Sequence, residues 1–466
     1  MSRINTNVSS LIAQRVLRKN NDSLNTSLER LSTGLRINRG ADNPAGLIAS
    51  ENLRSEKAGI SQAIDNAERA SNIIGTAEGG LAEISSLLTE VQSLVSEASN
   101  TGGLSSEEIS ANQLQVDSIL STINRIAGST AFQGQKLLNG NFDYTTSGVT
   151  STAVDNVRIN SARIVDGAAA SVVVQVVSSG TTGELTYAGG AVAGNTVKLE
   201  VAGNLGTEQL SFASGTAVAD IATAINSVKE ATGVSAAVVG ANLQVNSTSY
   251  GSSQFVSLRA LEGDFTMATT KDAGTDAAVT INGAAADTDG LSVSYRSSNL
   301  DVEFDLDAVF NAPGSTTFNV TGGGATFALG SKVTETDKAS IGLASVSTGS
   351  LGNTTTGYLS SLGSGGVNSL NSDNLVNAQR VIDKAIKQVS TLRGRLGAFQ
   401  KFTIASTVNS LGVAFENASA AESAIRDTDF AQETANLTRS QILSQAATTV
   451  LSQANASPQA ALQLLG

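Results

Sequence analysis

The chain has 466 residues, 40% hydrophobic and 15% charged, with 45 glycines and no Cys, His or Trp. It is long and apolar enough for several folded domains. Its composition excludes disulfides, Cys- or His-based zinc sites, Cys–His dyads and Ser–His–Asp triads, and it lacks the side chain that most often moves protons near neutral pH. The formal net charge of −12 is uneven: residues 141–366 carry 9 Lys and Arg against 20 Asp and Glu, while the two ends together carry 20 against 21, so the acidic middle is unsuited to nucleic acid.

Met1-Ser2-Arg3-Ile4-Asn5-Thr6-Asn7 runs into mixed polar and apolar residues, so no cleaved secretion signal is expected. No run of 18 apolar residues occurs, so no membrane insertion is expected. The chain then stays in the cytosol or leaves without cleavage. The first 40 residues are locally basic, with Arg3, Arg15, Arg18, Lys19, Arg30, Arg36 and Arg39 against Asp22 and Glu29. Surface charges that pair with neighbours in an assembly explain them more simply than a site for an acidic partner.

Leu17, Leu24, Leu28, Leu31 and Leu35 form a short heptad seam, broken at Gly40-Ala41-Asp42-Asn43-Pro44. Asn43 suits an N-cap and Pro44 the first helical position. Then Ile60, Ile64, Ala67, Ser71, Ile74, Ala77, Leu81, Ile84, Leu88, Val91, Val95 and Ala98 alternate by 4 and 3, the strongest periodic signal in the chain. At 1.5 Å per residue this helix is roughly 58 Å long. Gly75, Gly79 and Gly80 cost it about 1 kcal/mol each relative to Ala, so it requires tertiary support. A third helix follows Gly102-Gly103, where Ser105 and Glu108 have capping-box spacing. Its apolar face is Ile109, Val116, Leu120, Ile123 and Ala127.

From about 141 to 366 the runs shorten and become β-branched: Val172–Val177, Val197–Val201, Ala278–Ile281, Leu291–Tyr295 and Leu300–Leu306. One helix interrupts at about 217–231, with Ile221, Ile225 and Val228 on one side and Gly233 after it. Asp301, Glu303, Asp305 and Asp307 alternate with apolar residues and share one strand face. Four acids so placed suit calcium, although the plainer reading is the solvated outer face of a half-buried strand. Gly322-Gly323-Gly324 and Gly363-Ser364-Gly365-Gly366 lack the Lys-Ser/Thr of a phosphate loop and read as turns or linkers. The many Ser and Thr of the middle admit O-linked glycans, yet are also ordinary strand and turn residues.

Helix returns in Leu375, Ala378, Ile382, Ala385, Val389, Leu392, Leu396 and Phe399, and again in Leu443, Ala447, Val450 and Ala454. The apolar stripes at the two ends must be covered, and packing on one another is the economical solution. The expected architecture is α+β and multidomain: terminal helices paired in a coiled-coil-like bundle, with a β-rich insert between them. Residues 1–43 with 427–466 form a terminal coiled coil, 44–142 with 367–426 a helical bundle, and 143–366 an outer region of one or two domains. The outermost segments are poor in large apolar residues and are expected to be disordered alone, folding on assembly.

Several motifs resemble one family. Arg30-Leu31-Ser32-Thr33-Gly34-Leu35-Arg36-Ile37-Asn38 and Asp42-Asn43-Pro44-Ala45-Gly46-Leu47 resemble the N-terminal signature of bacterial flagellins. Asn124-Arg125-Ile126 with Phe132, Gly134, Leu137, Leu138 and Gly140 is similar to the turn closing their N-terminal helical region. Ala420-Ala421-Glu422-Ser423, Ile425-Arg426-Asp427-Thr428-Asp429-Phe430-Ala431, Gln453-Ala454-Asn455, Pro458 and the closing Leu462, Leu464 and Leu465 are similar to the C-terminal signature. The segment at about 195–260 resembles the small αβ repeat of flagellin variable regions.

The resemblance implies a subunit that crosses the flagellar export channel unfolded and polymerises outside the cell into the swimming filament, without catalysis, cofactor or metal. Its implied partners are other copies of itself, hook-associated junction and cap proteins, the export apparatus and an export chaperone. Its implied assembly residues are Ile4, Val8, Leu11, Leu17, Leu24, Leu28, Leu31, Leu35, Asp42, Asn43, Pro44, Arg426, Asp427, Asp429, Phe430, Leu443, Val450, Leu451, Leu464 and Leu465. In that family the helix matching about 87–97 is read by an innate immune receptor of animals. This assigns Leu88 and Leu94 to a receptor surface, with Glu90 where many flagellins carry arginine. Rival readings are a hook–filament junction protein, which shares the terminal helices, and a flagellin whose outer domain is also adhesive. A zinc enzyme inserted in the middle is excluded by the absence of His.

Overall fold

A computed structural model of the chain describes residues 6–100, 102–164, 168–189, 191–267, 269–372 and 374–463. The helices are α1 (Val8–Thr33), α2 (Pro44–Ala98), α3 (Ser106–Ser129), α4 (Val218–Ser227), α5 (Lys229–Thr232), α6 (Leu375–Ala398), α7 (Ala405–Arg426) and α8 (Phe430–Gln463). Terminal helices thus flank a β-rich middle, as the sequence led us to expect. Among the described residues no helix is long and apolar enough to cross a membrane.

The chain forms two compact units, residues 1–67, 328–337 and 405–466 in one and 68–327 and 338–404 in the other. The breaks therefore do not fall at the expected 43/44 and 426/427. The first turns of α2 stay with α7 because Lys57 pairs with Glu422 at 2.7 Å and Glu51 with Arg426 at 3.1 Å.

In the second unit, α2 runs antiparallel to α6. Gln92 donates to Asp383 at 3.2 Å, Glu78 lies 3.9 Å from Arg393, and Gln400 donates to Ser71 at 2.8 Å. Ile74, Ala77, Leu81, Ile84, Leu88, Val91, Val95 and Ala98 are buried, as are Ala378, Ile382, Ala385, Val389, Leu392 and Leu396. Nearer its start, α2 buries Ala63 and Ala70 where the sequence favoured Ile64 and Ser71. Ser105 and Glu108 form the expected capping box at the head of α3. Gly80 stands where the α2 backbone meets the segment after α3, since a Cβ there would lie 2.8 Å from Thr130 Oγ1. Gln133 and Gly134 both take positive φ and turn the hairpin Ala131–Phe132/Gln135–Lys136.

Residues 343–372 also return to the helices, so the outer region ends earlier than 366. The buried Gln113 of α3 donates to Leu362 O at 2.9 Å and accepts from Leu370 N at 2.7 Å. Asn124 Oδ1 accepts from Thr348 N at 2.9 Å. A π-helical turn, Phe399–Ile404, joins α6 to α7 and has no signature in the periodicity.

The middle holds two cores. One lies in a sandwich of antiparallel sheets. The first sheet has the order Ala284–Ala285, Ala278–Ile281, Ala170–Ser178, Gly314–Gly323, Tyr144–Ser147; the second has Asp287–Asp289, Ser292–Arg296, Leu300–Leu306, Val154–Ala162. Phe304 and Phe318 meet edge-on across the sheets at 6.5 Å. The other core gathers Val197, Leu199, Val201, Leu243 and Val245 under Ile221 and Ile225 of α4. Gly233, at φ 73°, ends α5 in the left-handed conformation.

Candidate assembly surface

α1 begins where the Asn7 side chain accepts from Ser10 N at 3.0 Å, capping the helix. It pairs with α8 along its length. Asn7 Nδ2 donates to Ala454 O at 2.7 Å, Ser10 Oγ to Asn455 Oδ1 at 2.8 Å, and Ser444 Oγ to Asn21 Oδ1 at 2.8 Å, while Arg30 lies 3.6 Å from Glu433. The side chains buried between them are small or polar: Ser10, Ala13 and Ser27 from α1, and Glu433, Ser440 and Ala447 from α8. Leu17, Leu24, Leu31 and Leu35 are partly covered on the α1 side, and Leu437 and Leu451 on the α8 side.

This corrects the seams read from sequence. On α8 the inward positions are 433, 437, 440, 444, 447, 451 and 454, a 4-3 alternation one step away from Leu443 and Val450. Leu443 and Val450 point outward, 46% and 59% exposed, beside Ile442 at 64%. Leu28, taken as a seam residue of α1, is also outward. At 100° per residue Val8, Leu11, Ile12 and Val16 share one face of α1, and all four are exposed. Large apolar groups gathered on one uncovered face mark an interaction surface. Ile4, Leu464 and Leu465 lie outside the described residues.

The two terminal signatures sit at the joint between these helices and their neighbours in the chain. Gly34, at φ 73°, ends α1. Thr428 N donates to Gly34 O at 2.9 Å, Arg36 N to Arg426 O at 2.6 Å, and the Arg36 guanidinium to Ala424 O and Ile425 O at 3.1 and 2.5 Å. Asp42 accepts from Asn38 N and Arg39 N at 3.0 and 2.9 Å, and these bonds hold its carboxyl below the ordinary value. Asn43 accepts from Gly46 N at 2.9 Å and caps α2 ahead of Pro44. Asp429 accepts from Ala431 N at 2.9 Å at the head of α8, Asp427 accepts from Ser423 Oγ at 2.6 Å, and Phe430 is exposed. Arg30, Arg36 and Arg39 thus find partners within the chain, Arg39 with Glu29 at 2.9 Å, where the sequence reading placed such partners in neighbouring subunits. Arg3 lies outside the described residues.

Two further expectations are corrected. Leu88 and Leu94 are buried, at 0% and 5%, because both face the helical core, so only Glu90 of the expected receptor surface is exposed. The acid face of Leu300–Leu306 is only partly solvated, its acids half-buried against partners within the chain, and it forms no metal-ligating group among the described residues. Asp301 pairs with Arg296 at 2.9 Å, Glu303 pairs with Arg395 of α6, and Asp305 accepts from Asn156 at 2.9 Å. Asp307 caps a turn, accepting from Val309 N at 2.7 Å. The sequence reading missed the inward Ser10, Ser27, Ser440 and Glu433. Only a heptad read without regard to side-chain size finds them.

Residues 4–143 match the bacterial flagellin N-terminal helical region and residues 380–465 the C-terminal helical region, while 198–249 match the flagellin hook IN motif. Flagellin B of Vibrio anguillarum is 30% identical over 470 residues, covering 99% of each chain. The chain belongs to the bacterial flagellin family. Polar flagellin F of Vibrio parahaemolyticus is 30% identical over 467 residues, and B-type flagellin of Pseudomonas aeruginosa 29% over 531, each with 99% of both chains covered. Among solved structures, FliC of Burkholderia pseudomallei matches 71% of this chain and 99% of its own at 17% identity and a TM-score of 0.25, too low to carry a structural argument. As a flagellin the chain is a structural subunit that polymerises with its own kind into the extracellular flagellar filament.

Proposed function

We propose that the outward apolar faces of α1 and α8 are the surface through which this subunit joins the filament, and that the chain has no catalytic role. The observation that carries this is the inversion of size between the two faces of the pair. Small and polar side chains are spent on the internal seam, and Val8, Leu11, Ile12, Val16, Ile442, Leu443 and Val450 are left bare. A filament needs a heterologous contact that does not close on itself, and two helices with uncovered stripes supply it. The capped joint at Asp42, Asn43, Pro44, Arg426, Asp427 and Asp429 positions those helices.

The seam buries too little apolar area to offset ordering entropy by itself, so folding of α1 and α8 is coupled to polymerisation. Export in the unfolded state, an export chaperone, and junction and cap proteins belong to the same reading. Deleting residues 427–466 tests it. The expected product is a folded, soluble monomer that forms no sedimentable filament. Filaments of ordinary appearance from the truncated chain would remove the proposal. A polymer that stops at a short ring with the intact chain would favour the junction-protein reading.

A further inference from the structure

α6 and the strands Val154–Ala162 and Leu300–Leu306 enclose a cavity of about 140 Å³. Four cations line it, Arg158, Lys384, Lys387 and Arg395, with three carboxylates, Asp143, Glu303 and Asp305. Three of the cations come from α6 and one from the sheet, so the two elements meet with one more positive than negative side chain. Arg395 donates through its two terminal nitrogens to Asn160 and Glu303, Asp305 accepts from Asn156, and Asp143 accepts from its neighbour Tyr144 N at 2.8 Å. Arg158, Lys384 and Lys387 have no ion pair within 4.0 Å and no side-chain hydrogen bond among the described residues. Arg158 is half-buried, and burial lowers its basicity despite the field of Asp143 and Glu303. A guanidinium taken from water without an acceptor is costly, and its five donors suit oxyanions.

We propose that this cavity binds one tetrahedral oxyanion of phosphate or sulfate size, held by Arg158 from the sheet and by Lys384 and Lys387 from α6. The lysines lie three residues apart on one helix face. The space is well above the roughly 10–15 Å³ that a single water requires, so it admits the anion together with water. Bound there, the anion supplies the acceptors that Arg158 lacks and cross-links the outer sandwich to the helix beneath it.

The test uses the full-length monomer at pH 7 and constant ionic strength, with sodium phosphate, sodium sulfate and sodium chloride as probes. Calorimetric titration is expected to show one phosphate or sulfate per chain, and thermal unfolding a higher Tm in either salt than in chloride. Lys387→Gln, at an exposed position that leaves folding intact, is expected to weaken binding about tenfold, and Arg158→Gln at least as much. Lys401→Gln, outside the cavity, is expected to change nothing. No heat of binding together with equal Tm in all three salts overturns the proposal. So does an affinity unchanged in Lys387→Gln, which means the ion sits elsewhere on the chain.

Discussion

The outer pair, α1 with α8, and the inner pair, α2 with α6, use the same heptad spacing to opposite ends. The inner pair buries Ile74, Leu81, Ile84, Leu88, Val389 and Leu396. The outer pair buries Ser10, Ala13, Ser27, Ser440 and Ala447 and exposes Leu11, Ile12, Ile442 and Val450. Burying a Leu or Ile contributes about 1.5–3 kcal/mol, and a Ser or Ala far less. Spacing therefore tells where two helices meet, and side-chain size tells whether that meeting stands alone or waits for a third partner.

The sharpest way to break the contrast is to make the outer stripe polar. In the double variant Leu11→Asn/Val450→Asn we expect sedimentable filament to vanish while the urea midpoint of the monomer corresponds to a change within about 0.5 kcal/mol, the range of ordinary surface substitutions. A monomer strongly destabilised by these changes would mean that the stripe is covered within the chain. The mirror experiment is Leu88→Ala on the inner seam. Its side chain is fully buried, so a loss of about 2–5 kcal/mol is expected from urea unfolding followed by circular dichroism. A change below about 0.5 kcal/mol would return Leu88 to the surface assigned by family resemblance.

Much of the inner architecture was legible because its signals are local. Asn43 ahead of Pro44, the Ser105–Glu108 box, and the strands Ala278–Ile281 and Leu300–Leu306 all stand where the sequence placed them. The slips in the helix seams share one cause, which is that size was taken as a proxy for burial. On α2 the helix turns Ala63 and Ala70 inward, although Ile64 is the larger neighbour. On α8 the same assumption selected Leu443 and Val450, which point away from α1. The assumption fails in a helix whose large residues are meant for another chain. The acid strand was illegible for a different reason. Its partner, Arg395, lies about ninety positions further along the chain, and nothing in the strand announces it.

Caps give a smaller effect that sharpens the same point, because they fix helix ends whatever the seam contains. Ser105→Ala removes the oxygen that accepts from Glu108 N and the hydroxyl that donates to Glu108. The expected cost is about 1 kcal/mol of monomer stability. A null result would mean that α3 is held by its contacts with residues 343–372 alone.

The smallest effect concerns the joint that carries the outer helices. Asp42 accepts two backbone N–H bonds, from Asn38 and Arg39, and its pKa lies below the ordinary 3.8. A carboxyl with a depressed folded pKa releases its proton more readily in the folded state. Its contribution is therefore fully present above its unfolded pKa and is lost as pH falls through the lower folded value. The joint should stay intact from neutral pH to about pH 4 and loosen only in stronger acid. An acid titration of helicity in the monomer, wild type beside Asp42→Ala, checks this. The two curves should be separated above pH 4 and converge below 3.8 as the wild-type carboxylate takes up its proton. Curves that keep a constant separation down to pH 2 would show that Asp42 shapes the turn by packing, and that its charge does not hold the backbone of residues 38 and 39.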